Sequence, residues 1–472
     1  MRPRFEYLSE TEKQFVHEQT VRLLREVGVA YNTPTLTDLL RDAGAIVDAA
    51  HLQAKLPWDL VERCLRQVPS ETLLAGRDPA YDCTVGAGPM LYTSDGAATY
   101  MLDDRTGERH EGTEADLAAM MTLYDAVPEI DFTWATITPG DVDSRAGNLE
   151  MARISFEHSR KHLQDEVRTP DQAPVMIDLL EAIAGAPLRE RPIWSATNCT
   201  IAPLQHDGEM TEAHILMAKA GCPIFVLPMP QMGTTGPMSV LGTSILNMAE
   251  LLSAVVLFQL AVPGCPMVSA VGSAVAEMRS GLYLSGAPED GLINAICIEM
   301  SRFYGLRTQG SAVSCDAKAC DLQAGAEGML TGLASALAGA DIMLAFGLMD
   351  GAQTASLAKT VLDADTVNAI ERFMREDPVN EAAALVDDLV DVGIGGHFLA
   401  RKSTRQRYRA GELWQPSLWH RGTFDQYIGT PLVKDAWDRA HQLIVESDVP
   451  PLPDDVRQYV RGLIDAYLQR VS

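Results

Sequence analysis

The chain has 472 residues, 47% of them apolar, and a formal net charge of −26. That is ample material for a sizeable core, arranged as one large barrel with additions or as two to three ordinary domains. So acidic a chain excludes nucleic acid as its ligand, since phosphates call for a surplus of Lys and Arg. It is compatible with a cationic ligand, and equally with plain solubility.

The opening MRPRFEYLSETEK has no apolar signal core. The eight cysteines (64, 83, 199, 222, 265, 297, 315, 320) scatter through apolar runs, a pattern that fits reduced thiols in a cytoplasmic protein. Ser9 with Glu12 forms a capping-box pattern ahead of FVHEQTVRLLREVG, a helix ended by Gly28. Two further short helices are expected at 35–43 and 58–68. Residues 72–112 are Gly-rich and β-like, with turns at Ser94-Asp95-Gly96 and Arg105-Thr106-Gly107.

From Thr113, which with Asp116 opens a helix through 125, strand and helix alternate. Strands are expected at 130–137, 162–167, 193–201, 223–227, 266–271, 307–313 and 342–346, with helical patterns between them. The longest apolar stretch, 237–262, carries Asn247, Glu250 and Gln259, which a membrane helix rarely tolerates, so it reads as a buried core helix. An eighth strand is expected at 396–399 or within 72–112. The count favours an α/β fold of the (β/α)₈ TIM-barrel type over a doubly wound sheet. The expected layout is an N-terminal helical and β extension (1–112), a barrel (113–400) and a C-terminal helical segment (401–472).

Several motifs lead nowhere. Thr84-Val85-Gly86-Ala87-Gly88-Pro89 looks like a nucleotide-binding turn, but it runs into a strand-like segment rather than a helix. Gly393-Ile394-Gly395-Gly396-His397 lacks the preceding strand, and there is no GxxxxGK[ST] and no GxSxG. His158 and His162 are spaced like metal ligands, yet Arg160 and Lys161 between them repel a cation. Cys315 and Cys320 bracket Asp316 without a partner set to complete four ligands. No metal and no tightly bound cofactor is expected.

Polar residues instead gather after the later strands: Glu277 and Arg279, then Asp316 and Lys318, then Asp350. In a parallel barrel the carboxyl-end loops form the active-site face. Glu277 and Asp316 lie among small residues (Gly272-Ser273-Ala274, 311–314), which leave room for a ligand. Asp321 beside them also suits a helix N-terminus, and Glu327 an ordinary surface.

At these residues the chain resembles the trimethylamine methyltransferase family, including members without pyrrolysine that demethylate quaternary amines such as glycine betaine. The resembling stretches are DDRTGERHEGTEADL (103–117), GTTGPMSVLGTSILNMAELLSAVVLFQLAVPGCPM (233–267), AEMRSGLYLSGAPED (276–290), DAKACDLQAGAEGMLTGLASALAGADIM (316–343) and GGHFLARKSTRQRYRAGELWQPSLWHRGTFDQY (395–427). The resemblance implies a barrel that passes a methyl group from an amine nitrogen to the cobalt of a corrinoid (cobalamin) held by a separate small protein. It also implies a pyrrolysine near 310–314 in the trimethylamine enzymes, where only ordinary residues stand here. Gly236 replaces an expected Ala and Glu277 an expected Asp.

A quaternary ammonium already carries a neutral amine as leaving group, so the chemistry needs positioning more than a general acid. Asp316 and Glu277 are the expected catalytic residues, as carboxylates that stabilise the substrate cation, with Asp350 adding charge. Tyr92, Trp194, Tyr304 and Phe346 are candidate walls for the cation. Arg279, Lys318 or His397 would receive a betaine carboxylate. Transfer to tetrahydrofolate and a catalytically silent betaine-binding protein remain as alternatives. The corrinoid protein is expected to cap the rim, with Arg401, Lys402, Arg405, Arg407 and Arg409 as a docking surface or an internal counter-charge. A homo-oligomer without membrane attachment is expected.

Overall fold

The computed structural model describes residues 4–96, 98–344, 346–426, 429 and 431–471. Of the stretches read above, Ala97, Ala345 and Tyr427 fall outside the described residues. The short apolar runs form strands buried on both faces, as a parallel sheet sheathed by helices requires. They are β1 (Leu91–Thr93), β2 (Thr133–Trp134), β3 (Leu163–Asp165), β4 (Trp194–Ile201), β5 (Ile224–Leu227), β6 (Met267–Ala270), β7 (Arg307–Ser311) and β8 (Ile342–Leu344). Each is followed by a helix: α1 (Glu114–Ala126), α2 (Gly147–His158), α3 (Ala173–Ala184), α4 (Gly208–Ala220), α5 (Val240–Ala261), α6 (Pro288–Phe303), α7 (Leu322–Ala338) and α8 (Leu357–Met374). Neighbours pair in parallel from β2 round to β8 and on to β1, and a parallel bridge from Thr93 to Phe132 closes the ring. This is a (β/α)₈ barrel.

The first barrel strand lies at Leu91–Thr93, so the barrel begins inside the segment expected to be an extension. Residues 396–399 are exposed and form no strand. Three residues cannot show a period, and β1 exists because Ile342–Leu344 and Phe132 offer it a ladder on both sides.

A hairpin of Thr72–Leu74 and Cys83–Val85 plugs the N-terminal end of the barrel. Its Leu74 and Val85 join Leu91, Phe132, Phe225, Val268 and Ile342 in one buried cluster. The helices Glu10–Glu26, Pro34–Asp42 and Trp58–Leu65 lie over α5. Covered in this way, α5 is mostly buried despite a mean hydropathy of 1.8. The first of these helices and α1 both open with the expected capping boxes, at Ser9 with Glu12 and at Thr113 with Asp116. At the other end, Leu432–Val445 packs on α8 and α1, and Asp454–Arg470 on α3. Between Met374 and Ala436 none of the described residues is buried.

Candidate active site

Alternation along a strand decides which side chains see the lumen. The sealed cluster fixes Leu91, Phe132, Phe225 and Ile342 as inward. Ladder partners share a face, so Thr93, Trp134, Gln164, Thr197 and Gln309 point inward too. Gln164 Nε2 donates to Thr197 Oγ1 at 2.9 Å across that lumen face. Two residues past Thr93 and Gln164, beyond the strand ends, stand Asp95 and Glu166. Cys199, two residues past Thr197, donates its thiol to Glu166 Oε1 at 3.5 Å, which places Glu166 on the lumen side. The Tyr283 hydroxyl donates to the Gly272 carbonyl at 3.1 Å, within electrostatic reach of both Asp95 and Cys199. The Trp134 indole lies across Gly96, where a Cβ would come within 2.4 Å of the ring. The mouth is therefore built from two carboxylates, two aromatic rings and a thiol.

Burial pushes the Asp95 carboxyl up to about 6, opposed only by the Gly96 amide. Burial raises Glu166 as well, against the pull of Arg168, whose Nε lies 3.6 Å away. The Cys199 thiol is driven well above its usual value, first by burial and then by Glu166, so it stays protonated. Tyr283 is likewise held neutral by burial, then by Asp290, Asp95 and Asp316. Two desolvated acids with little local counter-charge favour a cation. Beside them a cleft of about 160 Å³ is lined by Trp134, Val142, Met151, Asp165, Glu166 and Arg168.

The acids read from the sequence occupy the surrounding rim. Asp316 accepts the amides of Ser285 at 2.8 Å and Gly286 at 3.2 Å, and its own amide donates to Glu327 Oε2 at 2.7 Å. It stitches the loop after β6 to α7, and burial raises its pKa against those two amides. Asp350 is paired with Lys318 and accepts Arg109 Nη1 at 2.8 Å, so its charge is already met. Glu277 and Arg279 share a rim turn, the Arg279 amide donating to Glu277 Oε1 at 3.0 Å. Asp321 caps α7.

Four expected ligand contacts do not reach the mouth. Tyr92 and Trp194 alternate with inward residues and so face the helices. Tyr304 ends α6 at the opposite face, where His17 Nδ1 lies 3.3 Å from its hydroxyl and Trp58 flanks it. His397 is exposed in the C-terminal arm. Phe346 does stand at the mouth end of β8, but it is 1% exposed and packed into the core. The residues that do line the mouth, Asp95, Trp134, Glu166 and Tyr283, were not singled out. A usable signal existed for Glu166, a carboxylate just past an expected strand.

The loops above β7 and β8 carry non-glycine residues in the left-handed region: Val313 (φ +52°), Phe346 (+73°), Asp350 (+59°) and Ala352 (+66°). Such strain persists only where the surroundings enforce it. A buried ion pair on α8 does so. Lys359 bonds to Asp363, Lys359 Nζ donates to the Val313 carbonyl at 3.2 Å, and Asp363 Oδ2 accepts the Gly347 amide at 2.9 Å.

The largest cleft, about 600 Å³, opens at the N-terminal face between Tyr81, Asp125, Asp131, Arg160 and Lys161. Its cations are engaged structurally. Arg160 pairs with Asp125 at 2.6 Å, and Lys161 Nζ caps α1 by donating to the Tyr124 and Val127 carbonyls at 2.6 and 2.9 Å. The carboxyl-end mouth is the better active-site candidate.

An eight-stranded barrel with an acidic, aromatic mouth defines an enzyme of the (β/α)₈ type. The family model for trimethylamine methyltransferase (MTTB) matches residues 1–470, and the chain belongs to that family, as an enzyme of the methyltransferase class. It is 27% identical over 463 residues to a trimethylamine methyltransferase of Desulfitobacterium hafniense (strain DSM 10664 / DCB-2), covering 97% of this chain and 93% of the relative. It is also 27% identical to the glycine betaine methyltransferase of Desulfitobacterium hafniense (strain Y51), over 96% of this chain and 95% of that one. Among solved structures, the monomethylamine methyltransferase of Methanosarcina barkeri shares the fold with a TM-score of 0.55 at 13% identity, covering 95% of this chain and 90% of that one.

Proposed function

We propose that the protein takes a methyl group from a quaternary or tertiary methylamine and passes it to the cobalt of a corrinoid held by a separate protein. The observation that carries this reading is the mouth: Asp95 and Glu166, both desolvated, the first without an ion-pair partner among the described residues and the second met by the largely exposed Arg168, with Trp134 and Tyr283 beside them. Carboxylates and aromatic faces are what stabilise a methylated ammonium. Glu277 and Asp316 add negative field from the rim.

A reduced corrinoid on its own protein would supply the electron pair that receives the methyl group. The N–CH₃ bond breaks with its pair left on nitrogen, so a quaternary ammonium departs as a neutral tertiary amine and no proton moves. What this chain supplies is orientation of N⁺–CH₃ toward the open rim and exclusion of water. The cleft at the mouth, about 160 Å³, is far smaller than a corrinoid, so the corrinoid approaches from outside.

The test mixes the protein, Co(I) cobalamin and a panel of methylamines and betaines, and follows the methylcobalamin spectrum. Its appearance with one of them supports the reading. Binding without methylcobalamin turns the protein into a silent binder, and a methylated tetrahydrofolate formed in place of methylcobalamin reassigns the acceptor.

A further inference from the structure

Beneath the two carboxylates the lumen carries a layer of neutral polar side chains with unbonded atoms. Thr93 precedes Asp95 by two residues and Gln164 precedes Glu166 by two. On each strand the neutral group therefore stands under the acid on the same face, about 7 Å deeper. Gln309 enters the same lumen from β7. Thr93, Gln164 and Gln309 are 0%, 0% and 1% exposed. Yet Thr93 Oγ1, Gln164 Oε1 and both amide atoms of Gln309 make no hydrogen bond among the described residues. Buried polar atoms left this way cost stability, so their retention points to a ligand that bonds them.

The chemistry of the layer is specific. It offers donors (the Thr93 hydroxyl and Gln309 Nε2) and acceptors (Gln164 Oε1 and Gln309 Oε1), and it holds no charge. Arg307, the cation on the lumen face of the strands among the described residues, turns away to the Ser70 carbonyl at 2.7 Å and to Asp341 at 3.3 Å.

Resting on the function proposed above, we infer that the substrate is a methylated ammonium whose remaining arm ends in a hydroxyl: the nitrogen sits between Asp95 and Glu166, and the hydroxyl bonds within the Thr93–Gln164–Gln309 layer. A hydroxyl both donates and accepts, as the layer does. A carboxylate only accepts, so it would face the Gln164 oxygen and two acids, with the largely exposed Arg168 beside Glu166 as the cation to offset them. Tetramethylammonium would leave the layer unbonded.

Calorimetric titration of the full chain at pH 7.5 with (2-hydroxyethyl)trimethylammonium, glycine betaine and tetramethylammonium tests this. The alcohol is expected to bind about tenfold or more tightly than the other two. Gln309→Leu and Thr93→Val should each lower the alcohol's affinity about tenfold while weakening tetramethylammonium less than about threefold. Both should melt no lower than the parent, since they remove unbonded buried groups. Thr93→Val, nearly isosteric, keeps the test open should Gln309→Leu fail to fold. The inference is overturned if betaine binds more tightly than the alcohol, if the alcohol has no advantage over tetramethylammonium, or if the variants weaken every ligand alike. Should none of the three bind, this inference falls together with the quaternary-amine arm of the proposed function. Should they bind without preference for the alcohol, that function stands and only this inference falls.

Discussion

Asp95 and Glu166 are two of 64 acidic residues and differ from the others in where they stand. A carboxylate facing a cation in a partly desolvated mouth is worth about 1–3 kcal/mol. Asp95→Asn and Glu166→Gln should each weaken a bound methylammonium by about tenfold to a hundredfold, with an unchanged far-UV circular dichroism spectrum. Equal affinity in either folded variant would remove that residue from the site. The Asp95 pKa adds a pH dependence. Its folded value of about 6 exceeds the unfolded value, so the native state holds the extra proton between about pH 4 and 6. Its contribution to stability therefore falls as pH rises through that window. Asp95→Asn should melt higher than the parent at pH 7.5, with a smaller gap at pH 5, and a gap constant with pH would contradict the assignment. The glycine at 96 is a third handle. A Cβ there collides with Trp134, so Gly96→Ala should shift the tryptophan fluorescence and cut ligand affinity. Gly462→Ala, where a Cβ meets nothing within 4 Å, should do neither.

Among the elements, α8 does more than sheathe β8. Its Lys359–Asp363 pair holds the carbonyl of Val313 and the amide of Gly347, and so fixes the two strained loops at the mouth. Removing one partner leaves an uncompensated buried charge, a loss of about 3–5 kcal/mol. Lys359→Met or Asp363→Asn should lower the urea midpoint by a corresponding amount, and Lys359→Met with Asp363→Leu should recover much of it. A double variant as unstable as the singles would show that the pairing is not the cause. Nothing in the sequence near 359 announces this role, because the loop groups that the pair holds lie 46 residues before Lys359 and 16 before Asp363. The capping boxes at Ser9 and Thr113 are local, and they were legible.

Across the whole molecule, the N-terminal helices cover α5 and the C-terminal helices close over α8, α1 and α3. Among the described residues between Met374 and Ala436, none is buried. The helix Lys402–Arg409 there, with Arg401 at the N-cap, carries the expected docking cations, and the structure sorts them. Arg401 is paired with Asp388 and Asp391, and Arg407 with Glu412, whereas Arg405 and Arg409 are exposed and form no ion pair among the described residues. If they meet the corrinoid protein, Arg405→Glu with Arg409→Glu should lower turnover with the protein-bound corrinoid and steepen its salt dependence. Turnover with free cobalamin should be unchanged, and an equal loss with both acceptors would assign the segment to the fold.

Periodicity and composition were enough for the alternating α/β order, seven of the eight strands and the burial of α5, because each rests on contacts repeated within one element. The family was also legible, in five motifs spread in order along the chain from residue 103. The eighth strand was legible only as one of two alternatives, 72–112 beside 396–399, and the mouth was not legible at all. Leu91–Thr93 becomes a strand only when β8 and Phe132 supply its hydrogen bonds. Asp95 and Glu166 become a site only when β1 and β3 are curled into one ring, which turns their faces to a common lumen and strips them of water. Trp194 and Tyr92 are as aromatic as Trp134, yet one residue of strand phase sends them to the helices instead.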